Sequence, residues 1–98
     1  MYAQISTWRR RPQDLDQIRR DLAPISAKMR QQPGYVAGYG VNTAPDTTVV
    51  VTVWESEQAF EAAFAAIKGL IEEIVGGRME LIDRKRGPAW VAGTAAPS

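Results

Sequence analysis

Three features of this 98-residue chain predict an α+β domain with the order strand, helix, strand, strand, helix, strand. Apolar residues recur at helical spacing in two stretches, Leu15 to Met29 and Phe60 to Ile74. Four segments of alternating or β-branched sequence flank them, Thr47 to Trp54 (TTVVVTVW) being the clearest. Each helix pattern also lies between two strand patterns, so right-handed crossovers put both helices on one face of a four-stranded antiparallel sheet.

The elements follow in order. Tyr2 to Trp8 alternates, with Tyr2, Gln4, Ser6 and Trp8 on one side and Ala3, Ile5 and Thr7 on the other. Pro12 suits the first turn of a helix, and Asp14 and Asp16 there complement the helix dipole. Leu15, Ile18, Leu22, Ile25 and Met29 form the apolar stripe of that helix, with a kink expected at Pro24. Gln32, Pro33 and Gly34 end it, and Tyr35 to Asn42 reads as the second strand. A turn at Ala44, Pro45 and Asp46 leads into the third strand. Ser56 is a good N-cap for the second helix, whose stripe is Phe60, Phe64, Ile67, Ile71 and Ile74, with a break expected at Gly69. Gly76 and Gly77 stop the helix, and Met79 to Lys85 is the fourth strand. Residues 1–87 make one domain, and 88–98 form a tail without charged side chains.

Composition excludes several functions. A net charge of +1 gives no overall field toward nucleic acid or an acidic membrane. The longest wholly apolar run, Ala62 to Ile67, is far too short to span a bilayer. Met1 leads straight into a strand pattern, so a cytoplasmic location is expected. The chain has neither cysteine nor histidine, which removes disulfides, thiolate nucleophiles, the usual zinc sites and the usual proton shuttle. No metal or tightly held cofactor is therefore expected. Glu57 and Glu61 share a helix face but have no further ligand in register, and Asp14 and Asp16 point apart. Arg9–Arg11 and Arg84–Arg86 are basic clusters at the ends of strands one and four, without the interleaved aromatics of a nucleic-acid surface.

The third strand carries a further message. Val49, Val51 and Val53 point one way, and Val50 and Trp54 the other. A strand with one wet face alternates apolar and polar residues; this one is apolar on both sides. A second copy of the chain is the simplest cover for the face without helices, so a homodimer joined through the sheet is expected.

The run from Thr52 to Phe60 (TVWESEQAF) resembles the antibiotic-biosynthesis monooxygenase family, in which a strand ending in a VW pair is followed by Ser and an xxAF helix start. Pro33 to Tyr39 (PGYVAGY) resembles that family's approach to the second strand. The resemblance covers roughly residues 2–86. It implies a ferredoxin-like fold, a dimeric α/β barrel with helices outside, and a ligand pocket between each subunit's sheet and helices. Members include cofactor-free oxygenases acting on polycyclic phenols and haem-degrading enzymes. The haem-degrading branch uses an Asn on the first strand, a Trp on the second helix and a His. Ser6 and Ala63 occupy the first two positions here and no His exists, so that chemistry is not expected.

By the same analogy Gln4, Ser6 and Trp8 face the helices. Polar groups on a core face cost roughly 1–3 kcal/mol if unpaired, so they either serve a ligand or bond locally to backbone or water. Simple alternation puts Tyr35 and Tyr39 on one face of the second strand. Tyr39 is placed in the pocket as a group that could orient a phenol, against the ordinary packing role of strand tyrosines. Trp54, Phe60 and Phe64 are core residues that also shape the pocket. The expected function is oxidation of a small phenol- or hydroquinone-type aromatic by O2, the substrate supplying the hard chemistry. The alternative is a dimeric ligand-binding or structural domain without catalysis. Trp90 is expected to pack on the body or on a partner subunit, with residues 94–98 loose.

Overall fold

The computed structural model describes residues 1–95; residues 96–98, the end of the tail, lie outside them. The elements are β1 (Tyr2–Arg10), α1 (Leu15–Arg30), β2 (Tyr35–Ala44), β3 (Thr47–Trp54), α2 (Glu57–Val75) and β4 (Met79–Pro88). The sheet is antiparallel throughout, in the order β2-β3-β1-β4. This is the expected ferredoxin-like arrangement.

Local chemistry explains the helix ends. Asp14 caps α1 by accepting from the Gln17 backbone N–H at 2.8 Å, so Pro12 lies ahead of the helix and not in its first turn. Ser56 caps α2 in the same way, accepting from Ala59 N at 3.1 Å. The break expected at Gly69 is corrected, whereas Pro24 lies inside α1 as expected. α1 runs as one helix through Pro24, whose exposed position leaves the lost backbone bond on the solvent side. α2 runs unbroken through Gly69, which also lies on the exposed face rather than in the apolar stripe. Packing of Phe60, Ala63 and Ile67 outweighs the roughly 1 kcal/mol that such a glycine costs.

Of the three strand irregularities, two decide which side chains share a face across the middle of the sheet. In β2, Tyr35 pairs with Trp54 but Ala37 pairs with Val53, so Val36 is an extra residue. In β4, Thr7 faces Asp83 but Trp8 faces Leu81, making Ile82 extra. Each bulge reverses the alternation that follows it. The helix-facing rows across β2, β3, β1 and β4 are thus Tyr35–Trp54–Tyr2–Pro88, then Gly38–Thr52–Gln4–Arg86, then Gly40–Val50–Ser6–Arg84. The opposite face carries Ala37–Val53–Ala3–Gly87, Tyr39–Val51–Ile5–Lys85 and Val41–Val49–Thr7–Asp83.

The core sits at the Tyr2–Trp54 end. Trp54, Phe60, Ala63 and Tyr2 are buried, with Tyr35, Phe64 and Met29 against them. Tyr35 meets Trp54 edge-on at 5.4 Å, and Phe60 lies 5.5 Å from Tyr2 and 6.0 Å from Phe64.

At the far end of β1, Arg10 is buried with only 7% of its surface exposed, although the sequence groups it with a basic cluster. It donates from Nε to Thr48 Oγ1 at 2.8 Å, from Nη1 to the Pro45 carbonyl at 2.9 Å, and from Nη2 to Asn42 Oδ1 at 3.2 Å. One guanidinium thus ties the β2–β3 turn to β1. Replacing it with methionine keeps the apolar stem but leaves those acceptors unserved. Arg10→Met is expected to lower stability by about 2–3 kcal/mol. Urea unfolding should show this as a lower midpoint at unchanged slope; an unchanged midpoint would mean that water satisfies the turn equally well.

Candidate functional site

The side-chain rows determine where space is left beneath the helices. The Tyr35–Trp54–Tyr2 row is bulky and fills its share of the interior. The next two rows place glycine, threonine, valine, serine and glutamine there instead. Between them and the helices remains a chamber of about 130 Å³. Gln4, Ser6, Trp8, Trp54, Phe60 and Phe64 all line it, together with Met29, Ile67 and Arg84.

Tyr39 is the exception. The bulge at Val36 turns it to the open face beside Val51, where it is 62% exposed. The same bulge puts Tyr35 and Tyr39 on opposite sides of the sheet. Tyr35, not Tyr39, is the tyrosine on the helix side.

The polar groups of the chamber differ in their commitments. Ser6 is 4% exposed and accepts from Trp8 Nε1 at 2.9 Å, so local bonding accounts for its burial and leaves its own proton to donate. Trp54 Nε1 donates to Thr52 Oγ1 at 3.1 Å. The half-buried Gln4 amide has no hydrogen-bond partner among the described residues.

The residues that sequence reasoning missed are Arg84 and Arg86. β4 extends to Pro88, so both lie within the strand rather than at its end. They stand opposite Ser6 and Gln4 on the helix-facing side. The Arg84 guanidinium carbon lies 5.2 Å from the Phe64 ring centre, and that of Arg86 lies 5.4 Å from Phe60. The ion pairs among the described residues, Arg9–Glu80 and Lys85–Asp83, include neither. A signal was present in the sequence: Arg84 and Arg86 alternate with Lys85, so any strand there must turn both to one face.

Chemically, the chamber is an aromatic slot with an amide, a hydroxyl and a guanidinium along one side. Such a set suits a flat ring bearing an oxygen that carries negative charge. No group of three or more potential metal-ligating side chains occurs among the described residues. Glu57 and Glu61 are exposed. Ala63 is buried in the core. No helix of the described residues is long and apolar enough to cross a membrane.

Comparison with solved structures gives the same architecture at low identity. HapK from Hahella chejuensis superposes with a TM-score of 0.74 at 20% identity, covering 99% of this chain and 100% of that one. SnoaB from Streptomyces nogalater, described as a cofactor-independent oxygenase, gives 0.73 at 17%, covering 99% and 97%. A monooxygenase from the gene ActVA-Orf6 of Streptomyces coelicolor, in complex with nanaomycin D, gives 0.67 at 20%, covering 99% and 92%. Curated protein sequences give no match. The model of the family described as antibiotic biosynthesis monooxygenase matches residues 1–66, from β1 into α2. With two-thirds of its length matched, the chain belongs to the antibiotic biosynthesis monooxygenase family.

Proposed function

We propose that the protein is an oxygenase that needs no bound cofactor and oxidises a phenol- or hydroquinone-type aromatic with O2. The observation that carries this is the pairing of a free amide (Gln4) and an unpaired guanidinium (Arg84) with the aromatic walls of one chamber. Arg84 and Gln4 stabilise the substrate as a phenolate or enolate, its proton passing to water. The electron-rich anion then reduces O2 directly and traps it at a ring carbon. For a substrate with a reactive CH2, one oxygen atom becomes the new carbonyl and the other leaves as water. The four electrons come from the substrate, so the balance requires no other reductant. Trp8, Phe60 and Phe64 hold the ring flat and keep water away. A chain without histidine or cysteine suits a reaction in which orientation and charge stabilisation are the protein's whole contribution.

The working unit in this proposal is a homodimer formed through the helix-free face of the sheet. Ile5, Tyr39 and Val41 there are each between 47% and 62% exposed and adjoin Val49, Val51 and Val53. Trp90 is 80% exposed and does not pack on its own body. In this proposal Trp90 packs on the partner subunit.

Oxygen uptake with hydroquinones and anthrones, in chelator and without flavin or haem, tests the function. Saturable, metal-independent turnover is expected, falling about 100-fold in Arg84→Gln and about tenfold in Gln4→Leu while the oligomeric state is kept. Tight ligand binding without uptake would identify a binding protein instead. Turnover unchanged in Arg84→Gln would remove the proposed anion stabiliser.

A further inference from the structure

The chamber's roughly 130 Å³ falls short of the approximately 300–1,000 Å³ of an ordinary small-molecule site. Beneath α1, toward the β2 edge, lies a trough of about 870 Å³. Leu22, Ser26, Met29, Val50 and Thr52 line both, so the two adjoin. Gly38 and Gly40 make part of the trough floor. A side chain added at Gly40 would meet nothing within 4 Å. Its backbone is not left-handed, so its conformation does not require glycine. Glycine in a strand interior costs stability and often marks a site where a ligand comes close to the backbone. On α1 the trough is bordered by Arg19, Arg20 and Arg30 against Asp16. Among the described residues none of the three arginines is in an ion pair.

We propose that the trough over Gly40 is a second subsite for the distal part of an elongated, flat substrate. That distal end carries an anionic group facing Arg19 and Arg30, while the ring to be oxidised sits in the chamber. The proposal deepens the oxygenase function, since it takes the chamber as the reacting end. Gly40 then determines substrate length, and the α1 arginines determine charge.

Quenching of tryptophan fluorescence tests this with 1-naphthol as a short probe and anthracene-2-carboxylate as a long anionic one. In Gly40→Val the long probe should bind at least about tenfold more weakly, and the short probe within about twofold of the parent. The fold should survive, because valine suits a strand better than glycine does; circular dichroism checks this. Ala23→Leu narrows the trough from the helix side, at an exposed position of α1 that does not line the chamber, and should act in the same direction. The double variant Arg19→Gln/Arg30→Gln should weaken the carboxylate about fivefold but spare 2-(hydroxymethyl)anthracene. Unchanged long-probe affinity in both wall variants would overturn the proposal. The distal end would then lie toward the 410 Å³ cavity beside Arg11 and Arg78. Absence of binding by the parent protein would overturn it as well. Trough-dependent binding without any oxygen uptake would support the subsite while removing the oxygenase function, so the two failures are distinguishable.

Discussion

Val51→Asp is expected to convert a dimer into monomers at micromolar concentration. Val51 occupies the centre of the helix-free face, between Ile5 on β1 and Tyr39 on β2. In a dimer closed through that face, a two-fold axis buries both copies of the substitution. Each carboxylate would lose its hydration; Lys85, the nearest cation in that row, already lies 3.8 Å from Asp83. At about 3 kcal/mol per unpaired carboxylate, two give about 6 kcal/mol, or roughly four orders of magnitude in Kd. Light scattering after gel filtration should report twice the chain mass for the parent and the chain mass for the variant. A monomeric parent would sink the dimer outright. A variant that stays dimeric would show that another surface makes the contact, and truncation after Gly87 would then ask whether Trp90 supplies it.

The second large effect concerns stability alone. Trp54→Ala is expected to lower the unfolding free energy by about 3–5 kcal/mol. Trp54 is the most enclosed large side chain, 2% exposed between Tyr35 and Phe60. Its removal opens a cavity between sheet and α2. It also leaves the hydroxyl of Thr52, 6% exposed, without its tryptophan donor. For a domain of this size that corresponds to a fall in Tm on the order of 15–30 °C. Thermal unfolding followed by circular dichroism measures it, with Trp54→Phe as a milder control. A loss under about 1 kcal/mol would mean that Phe60 and Tyr35 collapse into the space, and that the aromatic cluster is looser than its packing implies.

The two basic clusters show how different kinds of information divide. That Arg84 and Arg86 share a face follows from local alternation, but that this face is the inner one depends on where β4 docks against β1. Arg10 reads in sequence as one of three consecutive arginines in a basic cluster. Only the arrival of Thr48, Asn42 and Pro45 from another hairpin gives its guanidinium acceptors and lets it be buried. The tyrosines make the same point more sharply. Alternation placed Tyr35 and Tyr39 together, and one extra residue at Val36 separated them onto opposite faces.

By itself the sequence determined the element order, the helix cap at Ser56, the apolar stripes, and that Gln4, Ser6 and Trp8 share one face. These rest on periodicity and capping, which are properties of neighbouring residues. The lack of histidine and cysteine likewise narrows the chemistry on composition alone. The tertiary structure alone decided the strand bulges, the burial of Arg10, the presence of Arg84 in the chamber, and the trough that adjoins it. Each depends on register between segments far apart in the chain, and a one-residue slip in register sends a side chain to the other face.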